Sequence, residues 1–310
     1  MGVYILKRFL SMIITLWVIT TVTFFLMHAV PGSPFDRDGT KMSEAVLHNL
    51  NALYHLDEPI HIQYFSYLTS LVQFDLGPSI FYSPQTVNTM IERAFPVSAQ
   101  LGFVAIFISI ICGIGLGVVA ALRHNKAIDY FAMFFAVLGL AVPNFVMATV
   151  LIKYVAVEWQ LLPPATWGTW KHIILPALAL SFGPTAIIAR LTRSNMLEVL
   201  TQDYIETARA KGLSPFVIVV KHALRNALLP VITLIGALVA NVLTGSFVIE
   251  KIFAIPGMGK YFVDSINNRD YTVIMGTTVF YSMLLIFMMF VVDVLYGIVD
   301  PRIKLHKKEG

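Results

Sequence analysis

The 310-residue chain is short of charge: Asp, Glu, Lys and Arg make up 13% of it, while 57% is hydrophobic. Soluble domains carry about 25% charge, so an ordinary soluble surface is excluded. Uninterrupted apolar runs of more than about 18 residues exclude a soluble fold with an enlarged core. Cysteine is almost absent. Cys112 stands alone inside one such run, which rules out a disulfide within the chain and makes it a small apolar packing residue. Several chemical signatures are missing as well. There is no G-x-x-x-x-G-K-[ST] to cradle ATP phosphates, no H-E-x-x-H and no G-x-S-x-G, and none of the eight histidines pairs with another at four-residue spacing. No catalytic residue, metal site or bound cofactor is therefore expected in this chain.

What is present is lipid-compatible sequence. Six runs read as membrane spans, at 9–30, 97–122, 130–157, 173–189, 227–249 and 272–292, and the mean hydropathy is +0.75. The first is too long for the apolar core of a cleavable signal, about 7–15 residues, and Ala29-Val30-Pro31-Gly32 is a poor cleavage site. Leu6 stands where a myristoylation signal needs Ser or Thr. With the N-terminus inside, fourteen Lys and Arg residues fall on the cytoplasmic side. Four fall outside once the long segment 31–96 is set aside, because long loops translocate regardless of charge. Both termini and residues 190–226 are thus expected in the cytoplasm. The net charge of +4 is a topology signal, and nothing in it points to nucleic acid.

Four parts follow: a tail and first span over 1–30, a helical extracytoplasmic insert over 31–96, a five-span core over 97–299 and a basic cytoplasmic tail over 300–310. Within the insert, Ser43-Glu44 and Glu58-Pro59 start short helices. The run from Pro59 has polar His61 and Gln63 and is too short to span, so it lies on the protein or at the interface. DLGPS is a turn, and Ser83-Pro84 reads as an N-cap with proline at the first helical position. Gly113, Gly117 and Ala121, and again Gly236, Ala240 and Thr244, recur four apart as helix-packing stripes. Pro143-Asn144 should kink the third span. Lys153 should snorkel outward, His28 should sit at the interface, and Asp293 should pair with a basic residue; together they make no proton relay.

Between the fourth and fifth runs lies DYIETARAKG. Asp203 can cap a two-turn helix over 204–211, Glu206 can complete a capping box, and Gly212 suits a left-handed stop. Ser214 and Pro215 then restart the chain as N-cap and first helical residue. Ala208 and Ala210 keep the surface low. Local physics alone leaves two readings open, a helix that docks in a groove of another protein and a solvated loop helix.

Glu206-Thr207-Ala208, three residues, then Gly212 resembles the Glu-Ala-Ala-x-x-x-Gly motif of ABC importer permeases, with the downstream leucine-proline matched by Leu229-Pro230. Thr207 departs from the second alanine. ARAKG, HALRNALLP, IPGMGKYFVDSINNRDY and VDVLYGIVDPRIK resemble the peptide and nickel branch, and FDLGPS and FPVSA resemble its oligopeptide permease B subunits. The resemblance implies an all-α type I ABC importer permease taking up oligopeptides, with dipeptide or nickel permeases as the alternative. It implies a homologous second permease, two ATPase subunits that bind ATP and magnesium, and an extracytoplasmic peptide-binding protein. It also implies a coupling helix that contacts an ATPase through Asp203, Tyr204, Glu206, Thr207, Ala208, Arg209, Ala210, Lys211 and Gly212. Asn144 and Asn241, polar groups in the third and fifth runs, are candidates for the pathway lining, and helix–helix hydrogen bonding explains them equally well. An ion-driven transporter would need buried acids or an ion site in a broken helix, and no such cluster appears.

Overall fold

The computed structural model describes residues 2–29, 35, 48–49, 51–52, 54, 56–244 and 246–299. Among the described residues the regular structure is all helical apart from one isolated bridge, Pro78 to Thr86. Among the described residues, six helical segments are long and apolar enough to cross a membrane: Ile5–Ala29, Val87–Leu122, Trp170–Leu200, Pro215–Ile232, Leu234–Ile252 and Tyr271–Val292. A bent pair, Ala127–Ala141 with Asn144–Glu158, also passes as one broken crossing. The chain divides into two compact units, Met1–Val97 with Gly257–Ile286, and Ser98–Pro256 with Phe287–Gly310.

In the first unit, α1 (Gly2–Ala29) carries α2 (Ile60–Val72). Phe24 is buried between Tyr64 and Tyr67 of α2 and packs with Tyr271 and Met275, while the Thr21 hydroxyl lies 2.7 Å from that of Tyr64. His28 stitches the same pair, with Nδ1 2.8 Å from the Phe24 carbonyl and Nε2 3.0 Å from Gln63 Oε1. The helix from Pro59 thus lies on the protein, as expected. The helix from Ser43-Glu44 falls outside the described residues.

The expected helix start at Ser83-Pro84 is corrected. Residues 77–87 close into a loop through Ser79 N–H to Gln85 O and Val87 N–H to Gly77 O, so the helix cannot begin until the chain leaves it. It begins at Val87, and Thr86 Oγ1 accepts the Thr89 N–H as its cap. This helix, α3 (Val87–Leu122), passes through Pro96 and starts ten residues before the expected span. The loop is pinned by Asp270, which is completely buried. Its carboxylate accepts from Ser79 Oγ at 2.5 Å and from the N–H groups of Ile80, Phe81 and Val273, the last capping α11 (Tyr271–Val299).

In the second unit, the expected kink at Pro143 is a 108° break. Proline lacks a donor and biases its predecessor to extended backbone. Val142 (ψ 119°) and Pro143 (ψ 141°) are both extended, so α4 (Ala127–Ala141) stops and α5 (Asn144–Glu158) starts in a new direction. At about 22 Å, α4 alone is short of a 30 Å hydrocarbon core. The expected fourth run extends into α6 (Trp170–Leu200), so Arg190 and Arg193 belong to the helix and not to a following loop. A methyl group added at Gly113 would come within 2.7 Å of Ile188, and one at Gly117 within 2.6 Å of the Ala189 carbonyl; the small-residue stripe is packing, as read. Gly236 likewise faces Val292, whereas the side chains of Ala240, Thr244 and Asp293 fall outside the described residues.

The fifth run is continuous with the helix that Ser214-Pro215 restarts. A helix begins at Pro215 and continues, through a π-helical stretch Ile218–Ala223 and past Pro230, to Thr244; we call it α8 (215–244). A separate α9 (Phe247–Ile252) follows, where Ser246 Oγ donates at 2.6 Å to a fully buried Glu250. A buried carboxylate needs hydrogen-bonding protein around it, and Ser246 supplies part of that here.

Candidate functional site

The short helix expected near 204–211 is present as α7 (Asp203–Ala210), about 12 Å long. Its start differs from expectation. Only Thr201 and Gln202 separate it from α6, so Gln202 is the extended residue at the N-cap, without a side-chain cap bond. Asp203 is drawn into the first turn, and no capping box forms with Glu206. Both acids instead lie where the positive end of the helix favours carboxylates. Thr207 bonds back to the Asp203 carbonyl at 3.0 Å.

The C-terminal end is as read. Gly212 has φ +76°, its N–H reaches the Arg209 carbonyl at 2.9 Å, and the Leu213 N–H reaches that of Ala208 at 3.3 Å. These two bonds form a Schellman stop. Ser214 Oγ then accepts from the Val217 N–H with Pro215 at the first helical position.

The attachment of α7 was not legible in the motif. Ile205 is fully buried and Ala208 nearly so, in an apolar cluster with Ala121, Met196, Ile218, Ala223 and Ala227. Ala208 therefore belongs to the underside of the helix, whereas Asp203, Tyr204, Glu206, Thr207, Arg209, Ala210, Lys211 and Gly212 are exposed. Ile205 is the one large aliphatic side chain in the quoted stretch, and that is the signal available. Asn226 adds a polar strut by donating to the Tyr204 hydroxyl at 2.9 Å.

A second support was also missed. Asp129, buried at the start of α4, takes a bidentate pair from Arg193 of α6, Nε to Oδ1 at 2.6 Å and Nη2 to Oδ2 at 2.8 Å. It also accepts the Asn125 N–H at 3.0 Å, with His124 Nδ1 3.4 Å away. The partners are 64 residues apart, which is why no local pattern signals them.

Asn144 and Asn241 line one cavity of about 180 Å³, with Leu180, Gly183, Pro184, Ile187, Leu238 and Val242 around them. Lys153 is exposed, in the π-helical stretch Ile152–Glu158, with Nζ 5.1 Å from the centroid of the Tyr154 ring. Among the described residues, no three His, Cys, Asp or Glu side chains are grouped as metal ligands.

Residues 113–305 match the family model described as the binding-protein-dependent transport system inner membrane component, and residues 1–101 match the N-terminal model of the same membrane components. The chain belongs to this family of binding-protein-dependent transport permeases. Its relatives match at full length. The dipeptide transport system permease protein DppB of Bacillus subtilis (strain 168) is 63% identical over 99% of this chain and 100% of its own. The oligopeptide transport system permease protein OppB of Salmonella typhimurium is 45% identical over 97% and 99%. Among solved structures, the MetNI methionine ABC transporter in an inward-facing form superimposes with a TM-score of 0.58 at 19% identity, covering 68% of this chain and 96% of that one. The fold is therefore that of a type I ABC importer permease, as the resemblance implied. As the inner-membrane component, the chain is a multi-pass, non-catalytic subunit of an ABC transporter, and the family implies a second permease and ATPase partners.

Proposed function

We propose that this permease is one half of the translocation unit of an ATP-driven peptide importer, and that α7 is its coupling helix. It pairs with a homologous second permease, two ATPase subunits and an extracytoplasmic peptide-binding protein. ATP and magnesium are bound by the ATPases. The exposed side chains of α7, from Asp203 to Lys211, sit in a cleft of one ATPase; Ile205 and Ala208 carry the resulting displacement into the permease.

The observation that carries this reading is the construction of α7. It is stopped at Gly212, anchored from below by Ile205, and presents its polar side chains outward. A rigid element so held transmits a rigid-body displacement, whereas a frayed loop would absorb it. The basic asymmetry of the sequence supports a cytoplasmic position for α7 and both termini, with 31–96 as the external insert, 97–299 as the core and 300–310 as the cytoplasmic tail. Asn144 and Asn241 are candidates for the pathway lining, since they share a cavity.

The motifs FDLGPS and FPVSA favour oligopeptides. A second reading, dipeptides, is favoured by the 63% identical relative that bears a dipeptide name. Transport by the reconstituted complex, with competing peptides of graded length, decides between them. Competition by tetra- and pentapeptides supports the first reading; competition by dipeptides alone supports the second.

A further inference from the structure

Beside α7 is a cavity of about 410 Å³ lined by Tyr204, Lys221, His222, Arg225, Asn226 and Leu229. Three of these six side chains are basic, two are neutral hydrogen-bonding groups, and none is acidic. Among the described residues, no carboxylate pairs with Lys221, His222 or Arg225. Lys221 and Arg225 are exposed and four residues apart on α8, and Leu229 and Ile232 continue outward-facing apolar surface from them. On the other side, Phe216 and Val220 are also exposed. Lys221 and His222 sit in the π-helical stretch Ile218–Ala223, where the Leu224 N–H bonds to the Val219 carbonyl. Such an extra residue in a helix turn is frequent at functional sites.

We propose that this cavity binds the phosphate headgroup of an anionic phospholipid, whose acyl chains lie along Leu229 and Ile232. A phosphodiester supplies the negative charge and acceptor oxygens that Lys221 and Arg225 find nowhere among the described residues. Basic side chains flanked by exposed apolar surface match the boundary of a membrane leaflet rich in anionic lipid. The Asn226 amide bonds the Tyr204 hydroxyl at 2.9 Å, so a lipid seated here touches the strut that holds α7. Lipid composition thereby sets how firmly the helix is held, which rests on the coupling role given above.

The test uses the whole transport complex in nanodiscs of phosphatidylcholine, with and without phosphatidylglycerol. Native mass spectrometry counts retained lipid and bound ATPase subunits in one spectrum, and peptide-stimulated ATP hydrolysis is measured in parallel. The wild type retains phosphatidylglycerol in preference to phosphatidylcholine, and its coupled hydrolysis rises with the anionic lipid. Lys221→Gln combined with Arg225→Gln retains about thirtyfold less phosphatidylglycerol and loses the rise in hydrolysis, while the charge-keeping Lys221→Arg with Arg225→Lys retains both. Equal retention by wild type and the neutral variant overturns the proposal. So does stimulation by inorganic phosphate in pure phosphatidylcholine, which would make this a soluble-anion site. Loss of ATPase subunits with lipid retention unchanged would make it a protein contact, and also overturns it. If the wild type lacks ATPase subunits in every disc yet retains the anionic lipid, the coupling role fails and the lipid site stands.

Discussion

The helix Asp203–Ala210 and the turn at Asp270 are both short pieces of chain fixed to a larger body, but they are held in opposite ways. The helix is held from below by apolar contact through Ile205 and Ala208, which leaves its polar side chains facing out. At Asp270 the polar groups are turned inward: one carboxylate takes the Ser79 hydroxyl and the N–H groups of Ile80, Phe81 and Val273. Apolar attachment presents a surface, whereas a saturated carboxylate consumes its own. The first arrangement suits a part that meets a partner, and the second suits a part that must not move.

The comparison is broken most severely at the polar hub. Asp270→Ala strips the acceptor from several donors in a buried loop, at about 1–3 kcal/mol for each left unpaired. We expect little folded subunit in the membrane, read as loss of monodisperse protein after extraction; normal yield and melting temperature would contradict the hub. Arg193→Ala follows. It leaves Asp129 buried without its bidentate partner, a loss worth about 3–5 kcal/mol in buried pairs. Arg193 is a quarter exposed, so we place it at or below the lower end. The expected result is a lowered melting temperature with assembly retained.

Gly212→Val sharpens the other half of the comparison. Among the described residues no neighbouring atom lies within 4 Å of where its side chain would start, so the expected cost is backbone strain at φ +76°, about 1–2 kcal/mol. The spans should insert normally while ATPase co-purification or peptide-stimulated hydrolysis falls several-fold. Unchanged values of both would leave α7 a solvated loop helix. Glu206→Ala should have a smaller effect than a lost capping box would give, because no capping box forms. The smallest effect is expected of Lys153→Met: its side chain is exposed beside Tyr154, and transport should stay within a few-fold. Abolished uptake by a correctly assembled complex would place Lys153 in the pathway.

These differences track what a sequence can reveal. The apolar runs, the glycine stop at Gly212 and the Ser214-Pro215 restart are local, and each follows from hydropathy or backbone preference. The break at Pro143 was legible in place but not in size, because proline fixes where a helix fails and the surrounding packing sets the new direction. The helix starts at Val87 and Asp203 differ from those that Ser83 and Asp203 suggest as N-caps because a loop pinned by the distant Asp270, and a two-residue connection, override the capping preferences of those residues. Asp129–Arg193 and Asp270–Ser79 join residues 64 and 191 apart, beyond any motif. The underside of the site was hidden for the same reason, since Ile205 declares its role only when Met196 and Ala227 are in place.

The most direct test of the docking role is protection of the exposed face of α7. Ala210→Cys in a Cys112→Ser background is treated with a membrane-impermeant maleimide in inside-out vesicles, with and without the ATPase subunits. We predict ready labelling of the permease alone and strong protection in the full complex. Equal labelling in both, or labelling only in right-side-out vesicles, would contradict the account.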